Sequence, residues 1–368
     1  MKNMKILSIF NNKGGVGKTT LAYHLSHILA GNGHKVLMID MDPQCNLTVF
    51  GMDQEKLHNI WGEEDDFIDS FESAKEDIGK SKYNKLCENT RSIHFLLSPA
   101  EQGTAEIEKL PPPYEMAENL YLIPGRLTVH QYEEKISERW SGAYKGDPLS
   151  IKTITEIRKI AQKYASQYNI DYVVIDTSPS LGMLNKVIIS TVDGFIIPCL
   201  PDMFSAYGIR NIGRSLSVWK KEFDTIYSLI SNSKRKKFPD NFVKFLGYTI
   251  YNAKKYTGKS NNKWNLAKAH YNYAIDLPEI IKKNINDDLR LECDEIDEPI
   301  GGESIMLSHN TFPSMAMKYR IPIWKIPGST ELHDDDKGTI QGNRKHYEMT
   351  EEKYFHFMED LIDRAKKI

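Results

Sequence analysis

Short apolar runs alternate along the chain with longer segments in which apolar residues recur every three or four positions. The short runs have the length and composition of buried β-strands, and the longer segments have the spacing of amphipathic helices. The predicted strands are 6–10, 35–39, 119–124, 171–176, 193–201 and 245–252. A further strand or loop is predicted from Ile305 to Ser308, ahead of a late segment at 314–323. The pattern therefore predicts strands that are separated by helices.

Three charged stretches interrupt this alternation within a chain that we interpret as one domain over 1–368. The segment 52–115 combines dense charge with patches of helical spacing, and we interpret it as a helical insertion that ends at the extended run Pro111–Pro113. The segments 225–245 and 284–304 are interpreted as charged loop insertions. The role of the 52–115 insertion is left open between a lid, a dimer arm and a partner surface.

Composition restricts the class of protein. The chain has 368 residues, 40% of them hydrophobic, and a net charge of −2, so any nucleic-acid surface has to be local. Its four cysteines have no metal-binding spacing, which favours a reducing cytosol. The chain shows neither a signal peptide nor an apolar run near the ~20 residues that a membrane span needs. We expect a cytoplasmic protein, and no helix-turn-helix domain ahead of the motif that begins at Asn11.

A glycine-rich loop joins the first predicted strand to the first predicted helix. It reads Asn11-Asn12-Lys13-Gly14-Gly15-Val16-Gly17-Lys18-Thr19-Thr20. Strand, glycine-rich loop and a helix that begins with Lys-Thr are the context of a phosphate-binding loop, in which backbone N–H groups surround phosphate oxygens. In such a loop Lys18 lies along the β- and γ-phosphates, and Thr19 places its hydroxyl on Mg²⁺.

Carboxylates follow two other predicted strands. Asp40 and Asp42 end the second strand, and Asp176 ends the strand 171–176. Because ligands of open α/β sheets bind outside the carboxyl ends of the strands, all three are candidates to face the phosphate loop. An apolar strand that ends in aspartate has the form of a Walker B element, in which Asp176 would hold Mg²⁺.

These motifs together resemble those of the ParA/MinD ATPases. Asn12 replaces the first glycine of the usual loop, and the additional Lys13 is similar to the lysine of the deviant Walker A motif. Asp40-Met41-Asp42-Pro43-Gln44 resembles the D-x-D-P-Q element of ParA proteins. The run 176–182 resembles D-T-P-P-S-L-G, with Ser178 in place of the first proline. The late segment 314–323 resembles the family loop that closes over the base.

The resemblance implies a doubly wound, mainly parallel α/β sheet of the P-loop NTPase class, with ATP and Mg²⁺ as cofactors. It implies a homodimer on ATP binding, in which Lys13 reaches the partner's phosphates and acts with Lys18, while Asp42 orients the attacking water. Thr19, Asp40 and Asp176 are the implied Mg²⁺ residues. The implied nucleotide-binding residues are Gly14, Gly15, Val16, Gly17, Lys18, Thr19, Thr20 and, at the adenine, Asn252. A ParB-like or other partner would stimulate slow hydrolysis.

A basic stretch at 218–263 is the candidate DNA-binding surface. Such a surface neutralises phosphates without reading bases, which matches the nonspecific, ATP-dependent DNA binding that the resemblance implies, and hence association with the nucleoid. The alternative interpretation is a solvated loop. The candidate residues are Lys234, Arg235, Lys236, Lys237, Lys254 and Lys255.

Other functions of the same superfamily stay open. A MinD-like membrane switch needs a terminal amphipathic helix, and the stripe from Tyr354 to Ala365 has that form, although acidic residues surround it and core packing is the favoured interpretation. An amide-forming synthetase needs a substrate pocket, and an iron–sulfur ATPase needs paired interface cysteines, which the spacing does not offer. A ParA relative recruited to defence or to the maintenance of mobile elements is a further alternative, as is cargo positioning rather than plasmid or chromosome partition.

Overall fold

A computed structural model describes residues 4–256, 262–305 and 311–368. The described residues form one seven-stranded sheet in the order β3-β4-β2-β5-β1-β6-β7. All neighbouring strands pair in parallel except β3 and β4, which pair antiparallel. The strands are β1 Lys5–Ile9, β2 Val36–Asp40, β3 Tyr114–Ala117, β4 Leu120–Ile123, β5 Tyr172–Asp176, β6 Gly194–Cys199 and β7 Lys244–Ile250.

Helices cover both faces of this sheet. They are α1 Lys18–Gly31, α2 Asn46–Gly51, α3 Gln54–Asp69, α4 Phe71–Leu86, α5 Ile93–Gln102, α6 His130–Tyr144, α7 Pro148–Tyr168, α8 Met183–Thr191, α9 Met203–Leu229, α10 Asn232–Arg235, α11 Lys268–Ile275, α12 Leu277–Asn284, α13 Cys293–Ile296, α14 Phe312–Tyr319, α15 Asp334–Gly342 and α16 Arg344–Ala365. Short 3₁₀ turns lie at Leu127–Val129, Asp287–Leu289 and Ile323–Gly328. The doubly wound, mainly parallel fold is confirmed.

Alternating side chains of the sheet supply two hydrophobic cores, because successive residues of a strand point to opposite faces. Ile6 and Leu37 belong to the core with α5 to α9, whereas Leu7 and Val36 belong to the core with α1 and α16. The central strands are buried on both faces, which explains their continuous apolar runs.

The segment 52–115 is helical as far as Gln102, where α5 ends. Its end differs from the prediction, because Tyr114–Ala117 forms β3 at the edge of the sheet. This strand is short and only half-buried, so the sequence carries no apolar run that would predict it.

The predicted bounds of the charged loops also need correction. Residues 225–229 are the last turn of α9, and β7 begins at Lys244, so only the chain between them is a connection, and it contains α10. The helix continues because Phe223 and Ile226 bury an apolar face in the core despite the charges around them. In the segment 284–304, Asn284 is the last residue of α12.

The late segment 314–323, likened in the sequence to a loop that closes over the base, is helical as far as Tyr319, where α14 ends. The strand or loop predicted at 305–308 lies, apart from Ile305, outside the described residues.

The C-terminal stripe is confirmed as a core-packing face: Tyr354, Met358, Leu361 and Ala365 are buried with residues of α1. Among the residues that the structure describes, no helix has the length and apolarity to cross a membrane.

Candidate functional site

The phosphate loop lies between β1 and α1 at the carboxyl edge of the sheet. Gly15 and Gly17 adopt φ of 72° and 82°, the left-handed region that favours glycine. The Asn11 side chain fixes the loop, because its Nδ2 donates to the Pro198 carbonyl at 2.7 Å and its Oδ1 accepts from the Lys13 N–H at 3.0 Å. Within the described chain, no side chain caps the start of α1. The loop amides and the helix dipole therefore favour an anion there.

Lys18 and Thr19 begin α1 and point into the site. Lys18 is buried, and its ammonium donates to the Lys13 carbonyl at 3.2 Å. Burial lowers the pKa of Lys18, although the nearby Asp176 opposes that shift. A phosphate would supply the counter-charge that the buried ammonium favours. Thr19 Oγ1 donates to Asp176 Oδ2 at 2.7 Å and joins the loop to β5.

Asp176 and Asp40 face each other at the ends of neighbouring parallel strands. They are paired in register between β5 and β2, and both are fully buried. Burial, with the nearby charge of Asp40, raises the pKa of Asp176 to about 8. Burial also raises the pKa of Asp40 to about 6, although hydrogen bonds from Thr48 oppose that shift. The ionised forms of these two neighbouring buried carboxylates are therefore disfavoured despite the nearby Lys18, and a bound divalent cation would stabilise them.

The donor set fits Mg²⁺. Asp176 Oδ1 is buried and, among the described residues, accepts no hydrogen bond. Thr19 Oγ1 lies 2.7 Å from the other oxygen of the same carboxylate. One carboxylate, one hydroxyl and substrate phosphates are the oxygen ligands that Mg²⁺ takes in nucleotide sites.

Asp40 and Asp42 differ in their surroundings. Asp40 Oδ2 accepts from the Thr48 amide at 2.8 Å and from its hydroxyl at 2.6 Å, and Asp40 Oδ1 accepts from the Asp42 amide at 3.1 Å. Asp40 therefore holds the backbone that carries Asp42. Asp42 lines the cavity beside the phosphate loop, and its Oδ1 accepts from the Gln44 amide at 3.0 Å.

This cavity has a volume of about 290 Å³. It brings together the phosphate loop, the end of β2, the 176–182 segment and α14. Its lining residues are Gly14, Gly15, Gly17, Lys18, Thr19, Thr20, Asp42, Gln44, Asn46, Phe50, Pro179 and Met317. Gln44 is the last residue of the D-x-D-P-Q element and Asn46 lies two residues beyond it, so the sequence motif indicates this part of the cavity. Met317 comes from the distant α14 and lies within the late segment 314–323, which the family resemblance assigns to the base.

Tyr251, which none of the sequence motifs indicates, covers the phosphate loop. A β-carbon at Gly17 would lie 2.5 Å from Cε1 of the Tyr251 ring, so the ring rests directly on the glycine. The neighbouring Asn252 is exposed with φ 59° and, among the described residues, is not part of the cavity lining. The predicted adenine contact of Asn252 stays a prediction.

The Lys13 side chain contacts residues of the segment that follows β6. Its ammonium contacts the carboxylate of Asp202 and lies 5.4 Å from the centre of the Phe204 ring. Met203, Phe204 and Tyr207 form an exposed apolar surface at the start of α9, with Phe204 63% exposed. Contiguous exposed apolar surface is a common feature of protein–protein contacts, which makes this surface a candidate contact.

The predicted basic surface is not one patch, which corrects the sequence interpretation. The helix α9 has 27 residues, so about 40 Å separates its ends. The helix α9 carries the chain away from the phosphate loop. Beyond it, residues 239–242 line a groove together with Lys5 and Asp193, which lie at the start of β1 and β6. The group 234–237 therefore lies near the amino edge of the sheet. Lys254 and Lys255 follow β7 and lie at the carboxyl edge with the phosphate loop.

The side chains within these two groups also differ. Lys234 donates to the Gly146 carbonyl, and Arg235 donates to the Tyr227 carbonyl at 2.8 Å, so both hold the local backbone. Lys236 and Lys237 are exposed, as are Lys254 and Lys255. Two further lysines of the basic stretch contact the acidic segment in the pairs Lys220–Asp288 and Lys263–Glu298. Lys259 of the same stretch lies outside the described residues.

Comparison with known proteins matches this geometry. A family model described as an AAA domain matches residues 4–228. An uncharacterised protein of Methanocaldococcus jannaschii is 34% identical over 209 residues, which cover 56% of this chain and 63% of the relative. The sporulation initiation inhibitor protein Soj of Bacillus subtilis is 26% identical over 222 residues, which cover 60% of this chain and 68% of Soj. The match thus spans less than two thirds of the archaeal relative.

A solved structure of pNOB8 ParA bound to nonspecific DNA is similar in fold. The TM-score is 0.52 and the sequence identity 17%, over 99% of each chain. At this identity the likeness concerns the fold alone.

Proposed function

The chain belongs to this AAA-domain family, within the ParA/MinD superfamily of ATPases, and on that premise we propose that it is an ATP-dependent dimerising switch that binds DNA nonspecifically. Its task would be plasmid or chromosome partition or the positioning of another cargo. The observation that carries the proposal is the 2.7 Å hydrogen bond from Thr19 to Asp176, which joins the phosphate loop to a strand-end carboxylate with an unpartnered buried oxygen among the described residues.

ATP is the proposed substrate and Mg²⁺ the proposed cofactor. The loop amides and Lys18 would bind the phosphates, and Thr19 and Asp176 would hold the ion. When bound, Mg²⁺ neutralises charge on the phosphates. Asp42 lines the cavity and would orient the attacking water, while Asp40 holds the backbone of Asp42 through its amide. Catalysis then consists of positioning and charge stabilisation.

The surroundings of Lys13 support a dimer as the active form. The Lys13 ammonium contacts Asp202 and lies beside exposed Phe204, at an apolar surface. If two subunits pack through this surface, Lys13 of each can leave Asp202 and reach the partner's phosphates. ATP would thus favour the dimer, and hydrolysis, stimulated by a ParB-like or other partner, would release it.

DNA binding is proposed for the carboxyl-edge lysines Lys254 and Lys255. Both are exposed and follow Tyr251, whose ring rests on Gly17 of the phosphate loop. A change in the loop on nucleotide binding therefore has a short covalent route to these lysines. Backbone neutralisation by lysines gives binding that is independent of sequence and weakened by salt.

The test is binding to random-sequence duplex DNA with ATP, with ADP and without nucleotide, across a salt series. Lys18→Ala and Lys13→Ala are measured beside the wild type, together with ATP hydrolysis and the mass of the complex. The proposal predicts binding only with ATP, a steep loss with salt, and loss in both variants. Binding that is independent of nucleotide, or a protein that binds ATP and ignores DNA, would contradict it.

A further inference from the structure

The helical segment α3–α5 contacts the end of strand β4 through a reciprocal pair of hydrogen bonds. Trp61 Nε1 of α3 donates to the Gly125 carbonyl at 3.0 Å. Arg126 returns a hydrogen bond from Nη1 to the Trp61 carbonyl at 2.8 Å. Two directional contacts between the same short segments fix their relative position more closely than apolar packing does. A displacement of α3 therefore displaces residues 125–126.

Residues 125–126 in turn contact the acidic end of β2. The Gly125 amide donates to Thr48 Oγ1 at 2.7 Å, and that hydroxyl donates to Asp40 Oδ2 at 2.6 Å. A β-carbon at Gly125 would lie only 3.0 Å from the Asp40 carboxyl carbon and 3.1 Å from Cys45 Sγ. The backbone at Gly125 thus lies against Asp40 with no room for a side chain. Asp40 accepts from the Asp42 amide, so the contacts reach Asp42 without interruption.

The Arg126 guanidinium is held from several sides by the helical segment. It contacts Asp65 and lies 3.4 Å from Glu64 Oε2, both on α3, and its own side chain is 6% exposed. Glu64 is fully buried and accepts from the Ser92 amide at 2.7 Å, at the start of α5. Burying such a network costs desolvation energy that an apolar cluster would avoid, so it is a poor device for stability alone. Its directionality suits a positioning role.

We propose that the helical segment α3–α5 sets the position of Asp40 and Asp42, and with it the rate of ATP hydrolysis, through the positioning residues Trp61 and Arg126. The proposal assigns a role to the insertion that the family motifs leave without one, and it rests on the proposed ATPase function. A partner that docks on α3 and moves it would change hydrolysis without touching the nucleotide.

The test compares Trp61→Phe and Arg126→Lys with Glu63→Gln. Trp61→Phe removes the hydrogen bond from Nε1 to the Gly125 carbonyl and keeps an aromatic ring. Arg126→Lys keeps the positive charge and removes the branched guanidinium group. Glu63 is the matched control, because it is an exposed acid of α3 whose partner is Arg91 rather than Arg126. We expect kcat to fall about tenfold in both test variants with KM changed less than twofold, because misplacement of a catalytic group acts on the chemical step. The control is expected to hydrolyse ATP like the wild type.

Hydrogen exchange of the ligand-free protein supplies a readout that does not depend on activity. The Gly125 and Thr48 amides are expected to exchange at least tenfold faster in Trp61→Phe, and an amide in the core of β5 is expected to be unchanged. If kcat and these amides match the wild type, the inference is overturned. If the kcat loss appears together with exchange that is faster throughout the sheet, general destabilisation is the cause and the inference is also overturned. A wild type that binds ATP without hydrolysing it would overturn the proposed function first.

Discussion

The ammonium of Lys13 contacts the carboxylate of Asp202 within the same subunit. The pairing holds the Lys13 ammonium beside the exposed ring of Phe204. Burial raises the pKa of Asp202, but the hydrogen bonds from Lys13 and Ser205 and the charge of Lys13 together outweigh it, so the pKa lies below its usual value. Asp202 also caps the start of α9, where its Oδ1 accepts from the Ser205 amide at 3.0 Å. A dimer in which Lys13 reaches across therefore has to break this contact.

Asp202→Asn is expected to favour the dimer at lower ATP concentration. Asparagine caps a helix as well as aspartate does, so the fold is retained while the charge that holds Lys13 is removed. We expect the ATP concentration for half-maximal dimerisation to fall about threefold, as measured by sedimentation velocity. Asp224→Asn is the control, because Asp224 lies on the same helix and pairs with Lys220. A dimer fraction that is equal in Asp202→Asn and in the control would contradict the prediction.

Alanine at three loop glycines is expected to destabilise the ligand-free protein in a graded series. Gly14 has no positive φ, and a β-carbon added there would meet no atom within 4 Å, so Gly14→Ala should leave Tm unchanged. Gly15 has a positive φ but, like Gly14, no atom within 4 Å of an added β-carbon, so Gly15→Ala should lower the free energy of unfolding by about 1–2 kcal/mol. Gly17 adds the clash with Tyr251, so Gly17→Ala should cost the most. Urea denaturation without nucleotide measures the order, and equal losses at Gly15 and Gly17 would contradict the contact with Tyr251.

Glu64 is expected to make the protein less stable as the pH rises. Burial raises the pKa of Glu64 to about 7, although hydrogen bonds from Ser92 oppose the shift. Between the ordinary pKa and this value the folded state binds the proton and the unfolded state does not. The free energy of unfolding therefore falls as pH rises through this window, by an amount on the order of 3 kcal/mol. Above this pH window, the contribution of Glu64 to the free energy of unfolding no longer changes with pH.

Glu64→Gln removes the titrating group, so the loss of stability between the ordinary pKa of glutamate and about pH 7 should shrink in this variant, with a higher stability than the wild type above that window. Glu63→Gln, at the neighbouring exposed acid, is the control and should keep the wild-type dependence. Urea denaturation at several pH values measures both. An unchanged pH dependence in Glu64→Gln would show that Glu64 is not the responsible group.

Charge reversal is expected to show that the lysines at the carboxyl edge of the sheet, and not those at the amino edge, contribute to DNA binding. Lys254→Glu with Lys255→Glu should weaken ATP-dependent DNA binding at least tenfold and reduce the salt slope by about 2, because two phosphate contacts are lost. Lys236→Glu with Lys237→Glu places the same charge change at the amino edge and should alter affinity less than twofold. Fluorescence anisotropy with a random duplex measures both. The opposite order would move the DNA surface to the amino edge.

Local chemistry in the sequence determined much of this protein. The phosphate loop was predictable because its glycines, Lys18 and Thr19 are contiguous and each type has one physical use there. The strands were predictable because parallel strands buried on both faces need continuous apolar runs, as at 172–176. The core-packing face of α16 was predictable because its apolar residues recur at helical spacing and so lie on one side of the helix.

Only the tertiary structure decided which distant segments meet. The short edge strand β3 draws its stability from pairing with β4 and carries no strong apolar signal of its own. The basic stretch is contiguous in sequence, but the length of α9 divides it between opposite edges of the sheet. Tyr251 over Gly17, and Trp61 beside Gly125, are contacts between residues far apart in the chain. Such contacts depend on how the helices pack against the sheet, and local periodicity cannot specify that packing.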